Sequence, residues 1–340
     1  DQIGAVISRQ AMKDKSGASM MDAKTQVTSV YGHSILDLAL EPLEAIFALP
    51  LVHGIPSEND CALISVAVAA EMNLVNDSML VATDASREAG NAPNAVMASA
   101  VAIVGPKRVE RALTCSDILI NKFAHSGLKD GSDENFDISN FELNDPSKRY
   151  FVAGEADGPD ARVESMLLAI TKRGGKSIFL KFLKSFSQPL NRDAVLAAIA
   201  LTISWAPLMR KKITKLTARS LPWHLRLYGV MIGSTIPGKY HQYDSLCGIS
   251  HDESFSRWSV AELCFLSFAG KKPTAEGAKQ LQLLIGLLIS NGPGAISAQG
   301  AKGAVAADGP QTPERVQINK AMLGFLSHCG FSHGGNGFEG

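Results

Sequence analysis

The apolar residues of this chain come in long stretches of small aliphatic side chains at helical spacing. That arrangement points to helix-on-helix packing as the way to bury them. The clearest stretches are residues 194–208, AVLAAIALTISWAPL, and residues 281–289, LQLLIGLLI. Apolar residues make up 46% of the 340-residue chain but aromatics only 6%, so the interior must come from Ala, Leu, Ile and Val. Small side chains of this kind favour closely approaching helices over an aromatic-rich β sandwich. The expected fold class is all-α, with length enough for two or more domains and a sizeable core.

Both runs fall short of the roughly 20 residues that span a bilayer, and the first contains Trp205-Ala206-Pro207. They read as core helices, and no membrane partner is expected. The 33 basic and 33 acidic residues balance, leaving no global field to draw the chain onto nucleic acid. The five cysteines, Cys61, Cys115, Cys247, Cys264 and Cys329, are scattered and form no CxxC pair. Reduced thiols in a cytoplasmic setting are expected rather than a disulfide frame or a zinc site.

Residues 1–34 are polar and read as an N-terminal lead-in. Helical spacing follows over 36–51, 60–72, 94–104 and 107–122, and resumes over 159–173, 176–186 and 191–208. The acidic, turn-rich residues 127–148 and the Gly-, Pro- and Tyr-rich residues 222–248 read as internal boundaries, with 211–258 as a linker. Beyond Ser259 the pattern is helical over 260–268, 274–290 and 315–329, and Thr274 supplies an N-cap oxygen.

The order of features from Ser259 onward resembles citrate synthase and its citryl-CoA-cleaving relatives. A helix, a Pro-containing turn and a second helix, VAELCFLSFAGKKPTAEGAKQLQLLIGLLIS, are followed by NGPGAISAQGA at 291–301. That segment is similar to the family's His-Gly-Pro-x-x-Ser-x-Ala. A last helix leads to CGFSHGGNGFEG, similar to Gly-Pro-x-His-Gly-Gly-Ala-Asn. The same order recurs more faintly upstream. His53-Gly54-Ile55-Pro56-Ser57 parallels Lys271-Lys272-Pro273-Thr274, Asn76-Asp77 parallels Asn291-Gly292, and residues 94–105 parallel 319–330. PLNRDAVLAAIALTI at 189–203 resembles the helix start that bears the family's catalytic aspartate, here Asp193, and GPDARVESMLLAI at 158–170 its Asp-Pro-Arg segment. The resemblance implies tandem citrate synthase-like modules: a degenerate first one over 35–210, then half of a second over 259–340, whose small domain would follow Gly340.

By that resemblance the ligands are a coenzyme A thioester and a di- or tricarboxylate, with no metal or nicotinamide cofactor. The reaction joins an acyl-CoA to a 2-oxo acid, or cleaves the corresponding citryl-CoA-type thioester. It needs a base for the α-proton and donors for the thioester and keto oxygens. His333 takes the donor role at the oxo acid and Asp193 that of the base, while Asn291, Ser297, Gly334, Gly335 and Asn336 contact substrate or CoA. The glycines let backbone crowd the ligand. Pairing through helical large domains implies a homo-oligomer or an internal pseudo-dimer. The departures leave an alternative, a non-catalytic scaffold or regulatory subunit. Arg108 stands in the first module where His333 stands in the second, Asn76 and Asn291 replace the family's other histidine, and its Gly-His-Arg-Val is not recognisable before Pro159. The second module could act once complete, the two could pool residues, or the site could be dead.

Other patterns carry less. Residues 335–340 fit GxGxxG by letter but follow a helix instead of a strand. Gly174-Gly175-Lys176-Ser177 lacks the first glycine of a phosphate loop. The basic run Arg210, Lys211, Lys212, Lys215 and Arg219 reads as a solvated helix face more readily than a CoA phosphate site. His241 and His251, near Asp244 and Cys247, lack zinc-type spacing.

Overall fold

A computed structural model describes residues 18–22, 24–154, 160–290, 295–309, 312 and 314–330. Sixteen α-helices and two small antiparallel sheets occur among these residues, so the all-α expectation holds.

The chain enters through β1 (Ser19–Met21), β2 (Thr28–Val30) and β3 (His33–Ser34), paired in that order. Tyr31 and Gly32 turn the β2–β3 hairpin, both at positive φ, 48° and 82°, as a tight two-residue loop demands. The expected lead-in thus includes a three-stranded sheet among its described residues. Helix α1 (Ile35–Leu38) starts on a Ser34 cap, and α2 (Leu43–Val52) on Pro42. The single helical run expected over 36–51 is therefore broken, because Pro42 has no N–H to continue α1.

Helix α2 ends on His53 in the left-handed conformation, φ 54°. Then come α3 (Glu58–Met72) on a Ser57–Asp60 capping box, α4 (Ser78–Glu88) on Asp77, α5 (Pro93–Ile103) and α6 (Pro106–Phe123). Next are α7 (Asp145–Lys148), α8 (Ala161–Lys172), α9 (Ile178–Lys184), α10 (Arg192–Met209) and α11 (Lys215–Ser234). The second hairpin, β4 (Ser245–Leu246) and β5 (Ile249–Ser250), turns on Cys247 and Gly248, φ 53° and 75°. Helices α12 (His251–Arg257), α13 (Val260–Ala269), α14 (Ala275–Leu287), α15 (Ile296–Ala306) and α16 (Ile318–Ser327) complete the order.

Helix α10 is the axis of the main core. Ala194, Val195, Leu196, Ala197, Ala198, Ile199, Ala200 and Leu201 are buried on every side, against α3, α6, α9 and α11. It is also the one described helix long and apolar enough to cross a membrane, but 67% of it is buried inside the protein. Loop 127–144 is not a clean boundary. Leu128 and Leu143 join this core, and the indole N–H of Trp205 donates to the Leu128 carbonyl at 3.1 Å.

The stretch expected as a linker contains α11, a 20-residue helix at the heart of the molecule. Pro222 within it argued against a helix, since an interior proline costs about 3 kcal/mol. Leu221, Trp223, Leu225 and Leu227 are buried around it, and each such side chain contributes about 1.5–3 kcal/mol. Packing wins. Helix α11 also approaches α3 at glycines: a Cβ on Gly233 would lie 2.0 Å from the Met72 carbonyl oxygen, and one on Gly229 2.6 Å from Glu71 Cβ.

Candidate functional site

Asp193 lies in the first turn of α10, a position fixed by the preceding residue pair. Asn191 caps the helix by accepting from the Ala194 N–H at 2.9 Å. Its amide also donates to the carbonyls of Tyr150 and Val152, at 2.8 and 3.1 Å, tying the helix start to the chain before it.

From there Asp193 meets a buried network of charge. Arg226 of α11 donates from Nη2 to Asp193 Oδ1 at 2.6 Å and from Nε to Glu71 Oε2 at 3.0 Å. Its Nη1 reaches the carbonyl of Arg108, 3.1 Å away. Glu71 of α3 is also 3.4 Å from Arg192 Nε, which lies 3.8 Å from Asp160 Oδ2. Asp160 caps α8 and holds Arg162 through two bonds of 2.9 Å, and Arg162 Nη1 donates to the Asn73 carbonyl at 3.2 Å. Burial would raise the Glu71 carboxyl, but Arg192 and Arg226 overcome it and hold the group at about 2. The same carboxylates push the Arg226 guanidinium above its ordinary range despite burial. Burial is likewise outweighed at Asp160, which Arg162 and Arg192 hold below its ordinary value.

The loop after α3 borders this network. Asn76 is left-handed, φ 58°, and Asp77 caps α4. Arg108 grips Asp77 with two nitrogens, at 2.5 and 3.1 Å, and donates to Ser78 Oγ at 2.7 Å. On the other side Asn73 donates to the carbonyls of Gln242 and Ser245 and lies 2.9 Å from His251 Nε2. His241 Nδ1 accepts from the Leu74 N–H at 3.0 Å, which leaves Nε2 to carry the proton toward the Ile236 carbonyl. Burial lowers both histidines, so they serve as neutral hydrogen-bonding posts that pin loop 73–77.

The structure therefore gathers Asp193, Arg108 and the Asn76–Asp77 loop, far apart in sequence, around Arg226. Arg162, Arg192, Arg226 and Arg108 each already face a carboxylate, so the arrangement is a closed ion network. It suits holding elements together better than receiving an anionic ligand. Ser297 stands apart from it, buried in the first turn of α15. His333, Gly334, Gly335, Asn336 and Asn291 lie outside the described residues. Of the basic run, Lys215 bonds Asn121 and Arg219 pairs with Asp117 at 2.6 Å. His53 closes α2 as its cap and stacks on Tyr31, ring centroids 4.7 Å apart.

Sequence reasoning missed Glu71 and Arg226. The available signal was one formally charged residue, Glu71 or Arg226, in each of two otherwise uncharged and largely apolar stretches, 61–72 and 220–234, a pattern that favours paired burial. Against known protein families, curated proteins and solved structures, the chain finds no match.

Proposed function

We propose that this chain is a citrate synthase-like acyl-CoA enzyme folded as an internal pseudo-dimer, whose two halves pool the residues of one site. One observation carries the reading: α5 and α16 pack on each other at the positions that the sequence pairs. Asn94, at the start of α5, donates to the Leu326 and Cys329 carbonyls at the end of α16, at 3.0 and 3.1 Å. Asn319, at the start of α16, lies 4.0 Å from where a Cβ on Gly105 would sit, just past the end of α5.

The exchange extends further. The second hairpin seats on Asn73 at the end of α3, and Ser19 of the first sheet bonds Ser290, just past α14, at 2.9 Å. Helix α12 touches α3 while α1 touches α14, and α13 touches α3 while α2 touches α14. Helices α2 and α13 are both 10 residues long and both end on a left-handed cap, His53 and Gly270. In this reading Asp193, engaged by Arg226 through Oδ1, is the base that takes the α-proton. His333, with Asn291, Ser297, Gly334, Gly335 and Asn336, serves the CoA thioester and its oxo-acid or citryl partner.

The test is release of free CoA from acetyl-CoA with oxaloacetate, and cleavage of citryl-CoA in reverse. Turnover that His333→Ala and Asp193→Asn each abolish, with the fold retained, is the expected result. Absence of turnover with every short acyl-CoA and 2-oxo acid pair would overturn it. A second reading, a silent scaffold that keeps the fold, is favoured by Arg108, whose guanidinium is tied to Asp77 where the family carries a histidine. It requires that His333→Ala change no measurable activity.

A further inference from the structure

Two buried histidines flank the second hairpin and hold it to the end of α3, each through a ring nitrogen that must carry a lone pair. His241 Nδ1 lies 3.0 Å from the backbone N–H of Leu74, a group that only donates. His251 Nε2 lies 2.9 Å from Asn73 Nδ2. The other contacts of Asn73 orient its amide: Oδ1 accepts from the Val75 N–H at 3.1 Å, and Nδ2 donates to the carbonyls of Gln242 and Ser245. Nδ2 is therefore the donor to His251 as well. A second proton on either ring would set donor against donor. Turning the rings over gives no relief. It would leave the Leu74 N–H unpaired at 2% exposure, and His251 is held in a stack on Phe255, ring centroids 5.1 Å apart.

Neighbouring charge is already committed. Asp84 and Arg87 of α4 face His241 but pair with each other at 2.6 Å. Around His251, Asp160 and Arg162 of α8 pair at 2.9 Å, Asp252 of α12 accepts from Ser165, and Asp244 is exposed to solvent. Glu71 of α3 is taken by Arg192 and Arg226. The cavity beside His251, about 10 Å³, has room for about one water at most, too little to solvate an imidazolium.

We propose that this pair is an acid-operated latch: protonation of His241 and His251 parts the β4–β5 hairpin from loop 73–77 as a local event, with the helical core intact. The latch does not depend on the acyl-CoA reading. Histidine is the side chain whose ordinary titration falls near physiological pH. Burial lowers both rings from their ordinary 6.5, so the latch is fully closed above 6.5 and weakens as pH falls below it toward the lowered values. The open form binds two protons that the closed form excludes. Its population therefore rises by up to about 100-fold per pH unit in that window, against about 10-fold for a single site.

Hydrogen exchange of the intact protein, read by mass spectrometry from about pH 7.5 to about pH 5, tests this under conditions where reclosing outpaces exchange. After correction for intrinsic exchange, the amides of 74–77 and 241–251 should open together, with a dependence approaching about 100-fold per pH unit, while those of α10 stay protected. His241→Gln and His251→Gln should each reduce the dependence to about 10-fold, and the double variant should remove it. In the native protein the ring protons of both histidines should titrate below 6.5 by NMR, a readout that stands even where a variant fails to fold. Opening indifferent to pH, opening shared by α10, a dependence unchanged by either substitution, or either histidine titrating at or above 6.5 would overturn the latch.

Discussion

Replacing Arg226 with methionine removes the cation that joins α11 to both α3 and α10. Its effect can be worked from the geometry. The folded protein holds the Glu71 carboxyl at about 2 against an ordinary 4.5, and one pKa unit is worth about 1.4 kcal/mol. The ionised form is therefore favoured by about 3 kcal/mol in the folded state. Because this carboxyl is lowered on folding, its contribution is full above pH 4.5 and is lost as pH falls toward 2. In Arg226→Met, Arg192 remains 3.4 Å from Glu71, but Asp193 Oδ1 loses its partner. Breaking a buried pair from one side costs about 3–5 kcal/mol, since the surviving carboxylates stay in place with less compensation.

Urea unfolding at neutral pH, followed by circular dichroism, should show a midpoint shift of that size with unchanged slope. The gap between native protein and variant should narrow as pH drops below 4.5, where the native protein loses its advantage. Adding Glu71→Gln to Arg226→Met should cost less than the two single changes together. A gap below about 1 kcal/mol, or one indifferent to pH, would show that the network is no clamp.

Three further outcomes follow from local geometry. Gly233→Ala should destabilise by about 3 kcal/mol or more, because its Cβ would lie 2.0 Å from the Met72 carbonyl, whereas Gly54→Ala, with nothing within 4 Å, should change little in the same thermal melt. Asn191→Ala should cost about 2–3 kcal/mol in chemical denaturation, since it removes the α10 cap and two bonds to the Tyr150 and Val152 carbonyls. Folding lowers His241, so stability should be complete above its ordinary 6.5 and decline as pH falls through that value; His241→Gln should flatten this part of the stability–pH curve.

The sequence alone determined the class of fold and much of its punctuation. Runs of Ala, Leu, Ile and Val at helical spacing specify buried helices, because period and side-chain size are local properties. Ser57, Asp77, Asn191 and Thr274 mark helix starts by local hydrogen bonds that need no distant partner. Asp193 was legible as the head of an apolar helix for the same reason.

Only the tertiary structure decided what surrounds each of them. Glu71, Arg192 and Arg226 are far apart in sequence, and their ion network exists because α11 crosses α3 at two glycines. Residues 211–258 read as a linker because residues 222–248 are rich in Gly, Pro and Tyr, with Pro222 locally unfavourable to helix. The burial of Leu221, Trp223 and Leu225 that outweighs it comes from other parts of the chain. Likewise, nothing local marks His241 and His251 as partners of Leu74 and Asn73. They meet because the second hairpin folds back on the end of α3, a fact set by long-range packing and invisible to any local period.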